Sequence, residues 1–277
     1  MSFAGRWRVL LPLAIGCRTA LDSPAASAPS DAWARYDALL SEVVTAEGFV
    51  DYDALEDSRR PLDEVVRYMA EHRVTGSEQE RLATWINAYN ALVLFAVLAE
   101  GRPASVKDVR GTLPVGGSGF FVQRTFALDG TRYSLWNLEH GQIRGNFPDY
   151  RVHAALNCAS ASCPALRASL YEAATLDEQL EEQMRAWVND PERGVRVVDG
   201  QPLFSPIFSW YSSDFRNWSG GQTPCAVAAR HAESELAAVL EAHEARGCPL
   251  NTFDYDWSLN HRAAASPEFE ASSATGR

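Results

Sequence analysis

Four stretches of the chain repeat apolar residues at the three- and four-residue spacing that is typical of amphipathic helices. They predict helices over residues 31–45, 62–72, 78–100 and 175–188. The third is the longest, and its apolar face is wide enough to predict a buried, central helix. A fifth helix, rich in alanine and glutamate, is predicted from Thr223 to Arg246.

Alternating apolar residues beside turn signals predict short strands. Asp129-Gly130 and Asp199-Gly200 each predict the turn of a β-hairpin. The flanking strands are residues 120–128 with 131–135, and residues 194–198 with 201–204. Further short strands are expected at residues 48–52, 152–156 and 253–257. This mixture predicts an α+β fold, in which the central buried helix packs on a small antiparallel sheet with other helices around it.

The first residues have the features of a targeting segment. Arg6 and Arg8 precede a short apolar stretch, and small residues lead to Cys17. Residues 1–16 resemble a bacterial lipoprotein signal, in which Cys17 becomes the acylated first residue. The alternative is an ordinary secretory signal cut further on, for example after Ala28. Both predict export; the first predicts a lipid anchor at the periplasmic face of a membrane, expected to be the outer membrane.

The rest of the chain divides by composition. Residues 17–30, rich in alanine, serine and proline, predict a flexible tether. Residues 31–261 show no internal repeat and no boundary, so we expect one globular domain. Residues 262–277 predict a disordered tail.

The charge limits the classes of partner. The formal net charge is −11, and it becomes −13 when residues 1–16, which hold two arginines and no acidic residue, are removed. Such an acidic surface argues against nucleic acid as a partner. It suits an uncharged or basic substrate, such as a peptide or another small molecule.

Candidate chemistry concentrates between His153 and Arg167. Pro164 suits the first position of a helix, which would make Cys163 the N-cap and leave Cys158 in the preceding loop. A thiol near a helix N-terminus is favoured as the thiolate. The alternatives are a disulfide between Cys158 and Cys163, or two small buried side chains.

The cysteine count allows disulfides in an exported protein. Without Cys17 four cysteines remain, which permits two disulfides in three connectivities. A Cys225–Cys248 pair is not expected if the helix between them is straight. Its ends would then lie ~30 Å apart at 1.5 Å per residue, whereas a disulfide needs Cα atoms within ~7 Å.

Other polar residues are candidates for a site. Asn87 and Asn90 lie three residues apart on the central helix, hence on a shared side, where they need partners. They could pin a neighbouring loop or donate to a substrate. Glu139 and Arg144 could form an ion pair, and His140 lies next to Glu139.

Several motifs together resemble one family, the domain of unknown function 547. They are Gly48-Phe-Val-Asp-Tyr52, Trp85-Ile-Asn-Ala-Tyr-Asn90, Ser134-Leu135, Glu139-His-Gly141 with Arg144, His153-Ala-Ala-Leu-Asn-Cys158, Ser162-Cys-Pro164 and Tyr255-Asp-Trp-Ser-Leu-Asn260. One departure is Ala159, where such proteins usually carry glycine. The resemblance implies a fold distantly similar to papain and transglutaminase. In those folds the nucleophilic cysteine begins the central helix, which here offers none.

Two functions follow from these residues. In the first, a thiol-dependent hydrolase or acyltransferase acts on amide or ester bonds, with Cys158 as the nucleophile and His140 or His153 as the base. Glu139 would orient the imidazole, and Asn87 or Asn90 would stabilise an oxyanion. In the second, a non-catalytic binding or scaffolding module uses the same residues structurally.

Two further readings of the cysteines are weaker. Cys158 and Cys163 could be a redox pair, but four residues separate them, whereas the usual redox motif has two residues between its cysteines. A zinc site formed by these cysteines with His140 and His153 matches no familiar spacing. We therefore expect no metal and no cofactor.

Overall fold

The computed structural model describes residues 18–262 of the protein. The predicted signal segment (residues 1–16), Cys17 and residues 263–277, which hold almost all of the predicted tail, lie outside the described residues. The helices are α1 (Ala32–Val43), α2 (Tyr52–Asp57), α3 (Arg60–Glu71), α4 (Glu78–Ala99), α5 (Leu135–Asn137), α6 (Val152–Ala155), α7 (Leu176–Val188), α8 (Pro206–Trp210), α9 (Ser212–Trp218), α10 (Pro224–His231) and α11 (Ser234–Glu244). The strands are β1 (Thr19–Ala20), β2 (Arg124–Leu128), β3 (Thr131–Tyr133), β4 (Val195–Val198) and β5 (Gln201–Phe204).

The central position of α4 is confirmed, and so is the α+β class. Ser77 caps the helix: its hydroxyl accepts from the N–H of Glu80 at 3.2 Å, and the Glu80 side chain accepts from the N–H of Ser77 at 2.7 Å. Almost every residue from Leu82 to Leu98 is buried. Among the described helices α4 alone is long and apolar enough to cross a membrane, but 89% of that stretch is buried inside the protein.

The small sheet packs on α4 through aromatic rings. Phe95 meets Phe126 of β2 edge to face at 6.4 Å between ring centroids, and Trp85 meets Tyr133 of β3 at 6.0 Å. Strands β2 and β3 form the antiparallel hairpin that Asp129-Gly130 predicts.

The third strand of this sheet comes from the segment expected to be a tether. Thr19 and Ala20 pair in parallel with Arg124 and Thr125, and the N–H of Leu21 donates to the carbonyl of Thr125 at 2.9 Å. Only one residue therefore separates Cys17 from a segment that is hydrogen-bonded to the domain. The second predicted hairpin, β4 with β5, forms a separate two-stranded sheet.

Three of the predicted strands are wrong. Of residues 152–156, the first four form the helical turn α6 and Leu156 is extended. The Asp149 carbonyl accepts from the N–H of Val152, and two alanines, good helix formers, follow. Residues 48–51 and 253–257 form no strand, and Tyr52 begins α2. Val50 makes isolated bridges to Val44 and His261, and residues 253–257 are held by loop hydrogen bonds. In the first hairpin, residues 119–123 are a π-helical turn, so β2 begins only at Arg124.

The helix predicted to begin at Pro164 is also absent. The backbone from Cys163 to Glu172 is irregular, because its polar groups bond to distant segments and not along a helix. The carbonyl of Pro164 accepts from the Asn157 side chain, and the N–H of Leu166 donates to the carbonyl of Gly48. Cys163 is therefore not an N-cap, and the helix N-terminus that was expected to favour a thiolate is not present at Pro164.

The prediction against a Cys225–Cys248 disulfide is wrong, because the helix between these residues is broken. The two cysteines are bonded, with Cα atoms 5.8 Å apart. The chain turns between α10 and α11, where the side chain of Asn189 binds both ends of the break. Its Nδ2 donates to the carbonyl of His231 at 2.8 Å, and its Oδ1 accepts from the N–H of Glu233 at 2.7 Å.

Buried apolar residues form two clusters. The larger surrounds α4 and includes α1, α3 and the sheet. The smaller is built around the stacked rings of Trp187, Phe208 and Phe215 and is closed by the Cys225–Cys248 disulfide. Residues 152–163 run between the two clusters, since Val152 belongs to the first and Ala154 to the second.

We predict that loss of the Cys225–Cys248 bond lowers stability. A cross-link between residues 23 apart restricts the unfolded chain, which is worth about 3 kcal/mol. The double variant C225S/C248S should melt lower than the wild type in a non-reducing buffer. A reductant should lower the wild-type melting temperature and leave that of the variant unchanged. Equal melting of both proteins without reductant would contradict the structure.

Candidate functional site

A cavity of about 480 Å³ opens between the two apolar clusters. Its volume lies in the range of small-molecule sites. Aromatic and aliphatic side chains dominate the wall, which includes Phe121, Trp136, Leu156, Ile207, Trp210, Tyr211, Tyr255 and Trp257. Leu113 and residues 115–118, which include two glycines, form one rim. Apart from its aromatic residues, some of which carry hydroxyl or N–H groups, the wall has few polar side chains among the described residues: Ser118, Glu139, His153, Cys158 and Cys163.

The sulfur of Cys158 meets three polar groups at this wall. It lies 2.6 Å from the sulfur of Cys163, 2.9 Å from the Ser160 hydroxyl and 3.4 Å from the Tyr255 hydroxyl. Both cysteines are free thiols; Cys158 is half-buried and Cys163 is buried. Within residues 18–262, no imidazole is hydrogen-bonded to the Cys158 sulfur.

These contacts give the two thiols different acidities. Burial opposes the Cys158 thiolate, but hydrogen bonds from Cys163, Ser160 and Tyr255 outweigh burial and lower the pKa of Cys158. Burial raises the pKa of Cys163 well above its usual value, and the neighbouring Cys158 adds to this rise. Side-chain donors thus supply the activation that the sequence attributed to a helix terminus.

The loop that carries the thiols is anchored by the buried side chain of Asn157. Its Nδ2 donates to the carbonyl of Pro164 at 2.8 Å. Its Oδ1 accepts from the N–H of Ala159 at 2.9 Å and from the Asn260 amide at 3.1 Å. The Tyr52 hydroxyl donates in turn to Oδ1 of Asn260 at 2.7 Å. One amide therefore closes the loop across its base and ties it to both ends of the domain.

Two backbone positions show how tightly this loop is shaped. Ala159 has φ of +62°, a left-handed conformation that costs an L-residue roughly 1–2 kcal/mol. Glycine, which the family resemblance leads us to expect here, would adopt this conformation without that cost. Gly48, with φ of +76°, packs against the far side of the loop, where an added Cβ would lie 2.4 Å from the Cβ of Ala165.

His153 lies in the cavity wall but is paired with an aspartate that the sequence did not indicate. Its Nε2 lies 3.0 Å from Oδ2 of Asp214, and its ring stacks on Tyr211 at 4.1 Å between centroids. Burial raises the pKa of Asp214, but hydrogen bonds from His153 and Arg144 outweigh burial and hold that pKa at about 2. Burial lowers the pKa of His153, so the ring is neutral near pH 7.

Arg144 therefore binds Asp214, and the expected Glu139–Arg144 pair is not formed. Nε of Arg144 donates to Oδ2 of Asp214 at 2.6 Å. Glu139 instead accepts from the Tyr211 hydroxyl at 2.5 Å. Burial raises the pKa of Glu139, although that hydrogen bond and the charge of Arg144 act in the other direction.

His140 is separate from the thiols. Its ring stacks on Trp136 at 3.6 Å between centroids. Burial lowers its pKa to about 4, and the positive charge of Arg144 acts in the same direction. Glu139 is 3.8 Å from Nδ1 of this neutral ring, which is too long for a hydrogen bond. The structure thus favours His153 over His140 as the imidazole of the cavity.

The side chains of Asn87 and Asn90 form hydrogen bonds to the backbone of neighbouring segments and do not line the cavity. Asn87 exchanges two hydrogen bonds with the backbone of Tyr171, at 2.8 and 2.9 Å. Asn90 donates to the carbonyl of Ala155 at 3.0 Å and accepts from the N–H of Asn157 at 2.9 Å. Both amides pin neighbouring loops, which was the structural alternative for these residues.

No cluster of side chains among the described residues is suited to bind a metal ion. Among residues 18–262, the one group of three metal-binding side chains within reach of each other is Cys225, Glu244 and Cys248. Both of its sulfurs are used in the disulfide. The cysteines and histidines weighed as a zinc set are not brought together, since each imidazole has other partners.

Sequence reasoning missed Ser160, Tyr211, Asp214 and Tyr255. Asp214 is the single acidic residue in the aromatic stretch from Phe208 to Phe215, and that isolation was its only signal. Tyr255 lies in the last motif of the family resemblance, but nothing in the local sequence shows that it reaches a thiol 97 residues away.

Comparison with known proteins supports the family. Residues 74–188 match the family model described as "Protein of unknown function, DUF547". The match runs from α4 to α7 and contains His153, Cys158 and Cys163. No curated protein and no solved structure matches the chain. The distant similarity to papain and transglutaminase folds therefore stays a prediction.

We predict that iodoacetamide labels Cys158 before Cys163 at pH 7, because Cys158 is the more exposed and the more acidic thiol. The variant Y255F removes a hydroxyl that stabilises the thiolate, so labelling of Cys158 should slow by about tenfold. Peptide mass mapping after timed labelling measures both rates.

The matched control is Y150F, whose hydroxyl binds His231 at 3.1 Å outside the cavity. It should leave the labelling rate unchanged. Equal labelling of the two cysteines, or equal slowing in Y150F and Y255F, would show that these hydrogen bonds do not activate Cys158.

Proposed function

We propose that this protein is a thiol-dependent hydrolase or acyltransferase, in which Cys158 attacks the carbonyl carbon of an amide or ester. The observation that carries the proposal is the Cys158 sulfur at the cavity wall, surrounded by donors that favour the thiolate. Attack forms a bond from sulfur to the carbonyl carbon, and the bond from that carbon to the leaving nitrogen or oxygen breaks. The leaving group takes a proton from solvent, and a thioester remains on Cys158.

We assign the second half of the reaction to His153. Asp214 holds Nε2, and within residues 18–262 Nδ1 makes no hydrogen bond. The ring is neutral, so it accepts a proton from water or from an acceptor hydroxyl that attacks the thioester. The charge of Asp214 stabilises the imidazolium that forms. His153 and Cys158 belong to one cavity wall, which supports their joint action.

The cavity indicates the kind of acyl group. Its wall is largely apolar, Glu139 is its one charged side chain among the described residues, and no lysine or arginine lines it. An apolar, uncharged group next to the scissile bond would bury surface there, at about 0.8 kcal/mol for each methylene. A negatively charged group would meet no partner.

The alternative function is a non-catalytic binding module. It is supported by the hydrogen bonds of Asn87 and Asn90, which serve structure, and by the lack of an imidazole at the Cys158 sulfur within the described chain. This alternative keeps the apolar cavity as the binding site and needs no thioester.

An acyl-transfer assay separates the two functions. With reduced protein, p-nitrophenyl octanoate should acylate Cys158, detected by the added mass on its peptide, and then turn over. Its kcat/KM should exceed that of the acetate ester by at least about tenfold, since burial of two methylenes already suffices. C158S should form no thioester and should not turn over.

Cavity and surface variants complete this assay. W210A should reduce the preference for octanoate, because Trp210 lines the cavity, whereas V198A on exposed β4 should not. Binding of the octanoyl group without acylation of Cys158 would favour the binding module. Acylation of Cys163 in place of Cys158 would contradict the assignment of the nucleophile.

We propose further that the protein is exported and anchored by lipid on Cys17, at the periplasmic face of the outer membrane. The arginines, the apolar stretch and the small residues before Cys17 support this. The Cys225–Cys248 disulfide supports an oxidising compartment. Pairing of Thr19–Ala20 with β2 would hold the domain close to the membrane.

Mass analysis of the mature N-terminus tests the anchor. For protein extracted from bacterial membranes, we expect the chain to begin with a diacylated Cys17. The variant C17S should lose the lipid and leave the membrane fraction. A mature chain that begins after Ala28, with no lipid, would refute the anchor and support an ordinary secretory signal.

A further inference from the structure

Cys158 and Cys163 are close enough to react with each other. Their sulfurs lie 2.6 Å apart, and a disulfide bond measures about 2.05 Å. A shift of a few tenths of an ångström therefore separates two thiols from a bond. The N–H of Cys158 also donates to the sulfur of Cys163 at 2.9 Å, which fixes the second sulfur against the backbone of the first.

The loop supplies this proximity without help from a ligand. The Asn157 side chain closes the base of the loop between Ala159 and Pro164, and the N–H of Cys163 donates to the carbonyl of Ser160 at 3.0 Å. These bonds involve neither sulfur. The loop can thus keep one shape whether the thiols are reduced or joined.

The two thiols have the asymmetry of an attacking and a resolving pair. Cys158 is half-buried in the cavity wall and is the more acidic thiol, so an incoming group reaches it first. Cys163 is 3% exposed and keeps its proton. A thiol of this kind reacts when its neighbour becomes part of a disulfide.

We propose that Cys158 and Cys163 are a redox-active dithiol, which exchanges with apolar or uncharged disulfides that enter the aromatic cavity. This activity shares the reactive Cys158 with the proposed function, but it needs no acyl substrate. The spacing of the two cysteines along the chain does not matter here, because the loop and not a helix brings them together.

The exchange has two balanced steps. The Cys158 thiolate attacks one sulfur of the incoming disulfide, which forms a mixed disulfide and expels the other sulfur as a thiolate. The proton of Cys163 passes to that thiolate. The Cys163 sulfur then attacks the sulfur of Cys158 and expels the second half of the substrate. Two protein thiols are oxidised, and one substrate disulfide is reduced to two thiols.

Oxidation in this way would also block the acyl chemistry, because the Cys158 sulfur would no longer be a nucleophile. A small or protein thiol restores the pair by the reverse exchange. Cys225 and Cys248 are a separate pair: they are bonded to each other, and neither lines the cavity.

The selectivity follows from the cavity. Among the described residues, its aromatic wall contains one carboxylate, that of Glu139, and no basic side chain. The formal charge of the chain is −11. A neutral aromatic disulfide should therefore react faster than an anionic one of similar reactivity.

The test uses 4,4′-dithiodipyridine with the full chain carrying C17S, which serves as the wild type of this assay and as the background of its variants. Cys158 and Cys163 are then the two free thiols, while Cys225 and Cys248 stay joined. The wild type should release two equivalents of pyridinethione and lose two hydrogens, with Cys158 joined to Cys163 in the peptide map. C163S should release one equivalent and keep a pyridyl adduct on Cys158, and C158S should react at least tenfold more slowly. The anionic 5,5′-dithiobis(2-nitrobenzoate) should react at least tenfold more slowly than the neutral probe with the wild type.

Other outcomes overturn the proposal. A stable adduct on wild-type Cys158, with one equivalent released, would show that Cys163 does not resolve it. Equal rates with the two probes would remove the role of the cavity. Circular dichroism of each variant shows that it is folded. The octanoate assay on the reduced wild type distinguishes the two proposals. Ester turnover without formation of a Cys158–Cys163 bond would contradict only the redox-active dithiol. Formation of that bond without ester turnover would contradict only the hydrolase.

Discussion

The structure around the thiols depends on one buried amide, that of Asn157. One N–H of its Nδ2 donates to Pro164, and its Oδ1 accepts from Ala159 and from Asn260. Hydrogen bonds of this kind between buried polar groups make a rigid, specific core. Because the thiols lie between the points that this amide connects, their positions follow from it.

The partners of this loop come from the whole length of the domain. Gly48 packs against it from the N-terminal part, Asn90 accepts from its backbone from α4, and the N–H of Asn260 donates to its backbone from the C-terminal end. The shared feature is a hydrogen bond or close approach to the loop backbone. The motifs that carry the family resemblance are therefore explained largely as a scaffold for residues 157–164, and the cavity chemistry depends on that scaffold.

Local sequence patterns predicted the regular part of the fold. Helical spacing gave α1, α3, α4 and α7, and the two Asp-Gly turns gave both hairpins, because each of these is determined by neighbouring residues. The irregular part was not predictable in this way. The break between α10 and α11 depends on Asn189, more than forty residues earlier in the chain.

The same distinction applies to the candidate site. The sequence predicted that Cys158, Cys163, His153 and Glu139 would matter, and all four line one cavity. The sequence did not predict that Ser160 and Tyr255 contact the sulfur of Cys158. Tyr255 and Cys158 are 97 residues apart, and Asp214 and His153 are 61 apart, so only the tertiary fold brings each pair together.

The most direct test is the effect of N157A on the pKa of the Cys158 thiol. The pKa is measured from the pH dependence of the ultraviolet absorbance of the thiolate. The two proteins compared are C163S and C163S/N157A, in which Cys163 cannot contribute to the signal. The account predicts a folded protein in which the loop loses its shape and the pKa rises towards the usual value for cysteine, ~8.5. An unchanged pKa in a folded N157A protein would show that the Asn157 amide does not position the thiol.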